Sequence, residues 1–290
     1  MKKLSQGLLL ATLIATQPAL ACSKDGKEGF LPKNNLFIPV DAKGINTITE
    51  ADFNKVIDEV ESVYAPIVSE YGGKLEVVRK WTDGTVNAYA EQVGDIWKVS
   101  MFGGLARHKT ITYDGMALVV CHEIGHHIGG VPRYGGDDWA TNEGQSDYFA
   151  TTKCLRRVWQ HEDNAAAIRG KKIPAILKSS CAKQWSSKVD RDICIRSGMA
   201  GDSVAQLFAA LSWQQKPAKF DTPDPKQVTV TNDAHPATQC RLDTYFQGAL
   251  CEKSFNEEIG QKDEVSGVCH GKTGQKVGLR PRCWFKPTAQ

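Results

Sequence analysis

His122 and His126 stand four residues apart with Glu123 beside the first, in the run His122-Glu123-Ile124-Gly125-His126. This spacing is useful only on a helix, where residues four apart share one face at about 6 Å and both imidazoles can grip one metal ion. Glu123 is turned roughly 100° around the axis, beside such an ion without ligating it, as a general base for water requires. A second segment, Asn142-Glu143-Gly144-Gln145-Ser146-Asp147, supplies a third ligand in Glu143. Three protein ligands leave the fourth zinc position open to water, which separates a catalytic site from a closed structural one.

Each of these residues has a plainer reading. A histidine pair at this spacing arises by chance in long helices, and Glu143 alone would pass for an acidic helix start favoured by the helix dipole. The flanking residues favour the metal reading. Asp114-Gly115 can cap a helix over Met116 to Ile128, Gly129-Gly130 can stop it, and Leu118, Val119 and Ile128 give it apolar surface to bury. Thr141 or Asn142 can cap a second helix carrying Glu143, Asp147, Phe149, Ala150 and Leu155. Glu143 and Asp147 then share a face, where Asp147 can accept the free ring N–H of a ligating histidine and fix its tautomer. His127 is one position too far to join its neighbours and reads as a structural or surface histidine.

In order and spacing within each block, the chain resembles gluzincin metallopeptidases of the CAAX-prenyl-protease and HtpX heat-shock-protease type. The blocks are Asn87-Ala88-Tyr89-Ala90, Gly104-Leu105-Ala106, His122 to His126, Glu143-Gly144-Gln145-Ser146-Asp147, and His235-Pro236 followed by Arg241. They cover roughly Leu75 to Trp159 and Ala234 to Leu250. Ser146 replaces the family's alanine, and the family's membrane-spanning segments are missing. The resemblance implies that His235 approaches the metal, stabilising an oxyanion or occupying the open position at rest. It also implies that Arg241, on the same helix, orients a carboxylate in the site.

The first 21 residues read as a secretory signal: Lys2 and Lys3, the apolar stretch Leu8 to Ala15, then Ala19-Leu20-Ala21 before the cut. No stretch is long enough to span a bilayer. The expected product is exported, periplasmic or secreted, and Cys22 directly after the cut offers a lipid anchor as the alternative to ordinary cleavage. Removing Lys2 and Lys3 takes the basic count from 36 to 34 against 33 acids, a net of +1. Without a basic patch interleaved with aromatics, no nucleic-acid partner is expected.

Nine cysteines with no C-x-x-C pair read as disulfides in an exported chain. The odd number leaves one over, either a lipidated Cys22 or a buried thiol. Cys121 points away from the metal face and is expected to be a small core residue or a disulfide partner. If a helix runs from Pro236 past Leu250, Cys240 and Cys251 lie about 16 Å apart, beyond the ~7 Å limit of a disulfide, and must pair elsewhere. Cys269 and Cys283 bracket a Gly-rich tail with little core of its own, and bridging it to the body is their expected role.

The chain divides into a signal (1–21), an N-terminal arm (22–45), a zincin-like domain (46–251) and a Cys-containing C-terminal segment (252–290). The expected fold class is α+β: an antiparallel strand meander packed on the HExxH helix and the Glu-bearing helix. Ile48 to Tyr71 is helix-periodic, with Phe53, Val56, Ile57, Val60, Tyr64, Ile67 and Val68 on one face, a kink at Pro66 and a stop at Gly72-Gly73. Strands are expected near 75–81, 85–91 and 95–102, with Asp83-Gly84 as a tight hairpin between the first two. Trp97 to Phe102 would be the open edge to which a peptide adds as a further strand. Ser203 to Trp213 reads as another helix, and Trp284 as a packing residue. The loop 131–141 declares no role, while the connector 216–234 has a length that suits a cleft wall.

The expected chemistry is zinc-dependent hydrolysis of peptide or protein substrates. His122, His126 and Glu143 hold the ion, which lowers the pKa of water from about 15.7 to near 7, and Glu123 shuttles the proton. The rivals are a non-catalytic or latent zinc-bearing protein with a peptide-binding, chaperone-like cleft, and an amidase acting on a non-peptide amide. An intact Glu123 favours catalysis, since bracing a site does not require it.

Overall fold

Residues 29–42, 48–135, 139–212 and 216–288 are described by the computed structural model. The expected signal, Cys22 and Trp213 lie outside the described residues. Helix α1 (Glu50–Glu70) is the periodic segment anticipated: Phe53, Val56, Ile57, Val60, Tyr64 and Val68 are buried and Pro66 lies within it. Thr49 and Asp52 form a reciprocal capping box at its start.

Three strands follow, β1 (Lys74–Lys80), β2 (Ala88–Val93) and β3 (Ile96–Phe102). The fold is α+β, but the sheet is mixed rather than an antiparallel meander. Its order is β1-β3-β2, with β1 parallel to β3 and β2 antiparallel to β3. The tight hairpin lies between β2 and β3, where Val93 pairs with Ile96 across Gly94-Asp95 and Gly94 takes a φ of 63°. Asp83-Gly84 does not fold β1 back on β2. Asp83 Oδ1 accepts from its neighbour Thr85 N at 2.9 Å, and Gly104 N donates to Asp83 O. Arg107 then clamps the carbonyls of Trp81 and Asp83, so the chain leaves the sheet over helix α2 (Gly103–Arg107). Trp97 to Phe102 is therefore the centre of the sheet, with both ladders filled, and the edges are β1 and β2.

Helix α3 (Tyr113–Ile128) starts three residues earlier than expected because Thr112, rather than Asp114, caps it: its Oγ1 accepts from Gly115 N at 3.0 Å. Every residue from Asp114 to Ile128 is buried, which makes α3 the central rod of the protein. Helix α4 (Glu143–Phe149) is capped by Asn142 and passes through one π turn (Ala150–Cys154) into α5 (Leu155–Trp159). After the short helices α6 (Asn164–Ile168) and α7 (Ala175–Gln184) comes α8 (Lys188–Leu211), which absorbs the helix expected from Ser203 and begins well before it. Helix α9 (Thr238–Leu250) closes the bundle against α8 and α4.

The cysteines pair as Cys121–Cys154, Cys181–Cys194, Cys240–Cys283 and Cys251–Cys269. Cys240 and Cys251 thus find separate partners, and Cys269 and Cys283 tie the C-terminal segment to the body. That segment lies against the helix bearing Glu143. Trp284 is fully buried and donates from Nε1 to Thr244 Oγ1 at 3.0 Å. Its indole lies so close to Gly144 that a Cβ there would come within 2.2 Å. Tyr148 donates to Gly278 O at 2.5 Å, and Arg280 Nη1 to Gln145 Oε1 at 3.1 Å. Replacing Trp284 by alanine should cost about 3–5 kcal/mol of stability, measured by urea unfolding.

Candidate metal centre

The two histidines of α3 and the first residue of α4 meet. His122, His126 and Glu143 are fully buried, and one ligand atom from each lies within 4.8 Å of the other two. His122 Nε2 is 3.4 Å from Glu143 Oε2, and His126 Nε2 is 3.7 Å from Glu143 Oε1. Among the described residues, His122 Nε2 and Glu143 Oε2 have no hydrogen-bond partner. Buried polar atoms left in this way are costly unless something else completes them. A cation at the centre would do so, and the donor set of two imidazoles and one carboxylate fits such an ion. Another grouping, Asp224 with Cys240 and Cys283, has both sulfurs committed to a disulfide.

The far side of each ring is anchored. His122 Nδ1 donates to Asp147 Oδ1 at 2.7 Å, the contact expected from the i, i+4 relation of Glu143 and Asp147. His126 Nδ1 donates to Thr141 O at 2.7 Å, with Ser146 Oγ 3.1 Å away. Both rings therefore carry the proton on Nδ1 and turn Nε2 toward the centre, the tautomer that a ligand needs. Asp147 Oδ1 also accepts from Arg241 Nη2 at 2.6 Å and Tyr245 Oη at 2.8 Å. Arg241 thus contacts two carboxylates, since its Nη2 is also 3.7 Å from Glu143 Oε2. Glu123 is fully buried on α3 and is not a member of the metal group.

His235 reaches the centre with Nε2 3.5 Å from Glu143 Oε2, but it is not on the same helix as Arg241. Helix α9 begins only at Thr238, because Ala237 before it has a non-helical backbone (φ −57°, ψ 153°). His127 is structural. Its ring is stacked between Trp97 (5.4 Å) and Trp139 (5.2 Å), and its Nε2 donates to Lys98 O. Burial pushes its pKa down to about 3.

Two contacts escaped the sequence. Tyr134, in the loop whose role was unread, donates to Glu143 Oε1 at 3.0 Å and faces the His126 ring. A lone tyrosine in a Gly-rich loop gives no periodic signal. Asp233, in the 216–234 connector, holds the start of α4: Asn142 Nδ2 donates to its Oδ1 at 2.9 Å.

Burial opposes charge throughout this centre, yet the net outcomes differ by residue. For His122, burial is outweighed by Asp147 and Glu143, which hold its pKa up at about 9. For His126, burial and the neighbouring His122 push it down to about 4. Burial would raise Glu143, but His235, His122 and His126 hold its carboxyl well below the usual range.

No described helix is long and apolar enough to cross a membrane, and the four disulfides are consistent with an oxidising compartment. No protein-family model, curated protein or solved structure matches the chain.

Metal uptake near neutrality must displace one proton, from His122, because His126 is already neutral and Glu143 already ionised. Between about pH 4 and pH 9 each bound ion should release about one proton, and affinity should rise about tenfold per pH unit as pH increases. Calorimetry in buffers of different ionisation enthalpy counts that proton. Asp147→Asn should weaken metal binding by about 10–100-fold, read by chelator competition.

Proposed function

We propose that the chain is a zinc-dependent metallopeptidase of gluzincin, zincin-like type, exported and acting on peptide or protein substrates. The observation that carries this reading is the convergence of His122, His126 and Glu143 with both Nε2 atoms turned inward. Two imidazoles and a carboxylate suit zinc among the common divalent ions. The motif order, from Asn87-Ala88 through Glu143 to His235 and Arg241, agrees with the family it resembles.

The ion supplies Lewis acidity, polarising a carbonyl and making water acidic enough to react near neutral pH. Glu123, one residue from His122, accepts the proton of the attacking water and returns it to the leaving amine. His235 donates from Nε2 to the carbonyl oxygen as it gains charge, a contribution that typically accounts for ~10²–10³ in rate. Arg241 and Asp147 hold the ligands in place from behind. Tyr134 keeps one oxygen of Glu143 occupied, leaving Oε2 for the centre.

Glu123→Gln should bind one equivalent of zinc like the parent and lose ~10²–10⁴ of its peptide hydrolysis. Metal analysis and cleavage of a diverse peptide mixture, with and without chelator, test both halves. Undiminished turnover in that variant would remove Glu123 from the mechanism. A latent state of the same site is favoured by one observation: residues of the N-terminal arm lie against His122, His235 and Arg241.

A further inference from the structure

The arm residues Gly29, Phe30 and Leu31 do more than cover the centre. Their backbone groups are held by Ala88 of β2, by the side chain of Asn87 just before it, and by His235 and Arg241 beside Glu143. Gly29 O accepts from His235 Nε2 at 2.9 Å. Phe30 N donates to Ala88 O at 2.9 Å, and Phe30 O accepts from Arg241 Nη1 at 3.1 Å. Leu31 N donates to Asn87 Oδ1 at 2.9 Å, and Asn87 Nδ2 returns a bond to Leu31 O at 3.2 Å. Further along, Phe37 bridges Thr85 in antiparallel sense. One backbone bond to the β2 edge and side-chain bonds to the other groups seat the segment, and a pocket takes one side chain, so that backbone contacts supply affinity and the pocket supplies selection. The pocket is filled by the fully buried Phe30 ring, edge-on to His122 at 4.8 Å and to Phe208 at 5.4 Å.

Two details separate this from a passive wall. The carbonyls on either side of the Gly29–Phe30 peptide bond are held by His235 and Arg241, each also within 4 Å of Glu143. In addition, the backbone at Gly29 is so close to β2 that a Cβ would meet Ala88 O at 2.2 Å and Asn87 Oδ1 at 2.6 Å. Only glycine seats there, so the site would accept glycine on the acyl side and a large apolar residue on the amine side.

We infer that the Gly29–Phe30 bond of this chain is bound as an intramolecular substrate and is hydrolysed by the chain's own site. The inference rests on the peptidase reading above. Water attacks the Gly29 carbonyl carbon and gives up a proton to Glu123. The C–N bond to Phe30 breaks, Glu123 returns the proton to the departing nitrogen, and the second proton of the water passes from the new Gly29 carboxyl to the same amine. The products are a carboxylate on Gly29 and an ammonium on Phe30, with water the single co-reactant.

The test uses the full chain loaded with zinc, followed by intact mass and N-terminal sequencing. The parent protein should acquire a new N-terminus at Phe30, at a rate independent of protein concentration. That product should be lost in Glu123→Gln and in Gly29→Val, whose side chain cannot be seated. In Glu123→Gln without metal, the Phe30 and Leu31 amides should exchange slowly with deuterium, and in Gly29→Val quickly, which reads the seating apart from turnover. Gly29→Val, with its groove vacated, should cleave unrelated peptides supplied in solution. If the parent stays intact at Gly29–Phe30 while Gly29→Val cuts those peptides, the arm is not a substrate and the peptidase reading survives. A concentration-dependent rate, or a new N-terminus elsewhere, also overturns the inference. If no variant cuts anything, the peptidase reading itself falls and takes the inference with it.

Discussion

A single buried oxygen, Oδ1 of Asp147, accepts from His122, Arg241 and Tyr245, and so joins α3, α4 and α9 at one point. An unpaired carboxylate in such a place would be costly, and a buried arginine more so. Each is tolerable because the other is there. Burial works against both charges, yet each holds the other ionised, and His122 receives its tautomer as a consequence. Remove that oxygen and the ring, the guanidinium and the phenol all lose the partner that fixes their direction.

The rest of the architecture keeps this junction in register. The Cys121–Cys154 disulfide, with a sequence separation of 33, closes a loop containing all three residues of the donor set, which restricts how far they can separate when unfolded. Trp284 lies against Gly144 from the C-terminal segment, and Asp233 holds the cap residue Asn142. Segments distant in sequence are thus used to fix the first turn of a seven-residue helix that would not persist alone. The π turn that follows carries Cys154 and directs it back to Cys121.

The same junction explains why the arm lies where it does. The Arg241 guanidinium lies over the rings of both Phe30 and Phe208 while it bonds Asp147 and the Phe30 carbonyl. One side chain therefore links the floor of the centre to the peptide lying over it. Asn87, at the head of β2, contributes a bidentate contact to Leu31 that a strand-interior backbone could not make alone.

Much of the centre could be read in the sequence because its logic is local. The i, i+4 histidines, the i, i+4 carboxylates and the helix stops each depend on a helical repeat that a short window contains. The apolar face of α1 and the separate pairing of Cys240 and Cys251 followed from the same repeat. What the tertiary structure alone decided was every relation between elements. Asp83-Gly84 has the composition of a hairpin, but Gly104 and Arg107 of helix α2 bond the Asp83 carbonyl and draw the turn aside, and β3 takes the centre of the sheet. Tyr134 and the Gly29–Leu31 arm carry no periodicity, and their placement follows from the shape left between α3, α4 and β2. Sequence determined which atoms could hold an ion, because that is set by spacing along a helix. Packing decided what lies over them, because contact between distant segments depends on where every other segment has already gone.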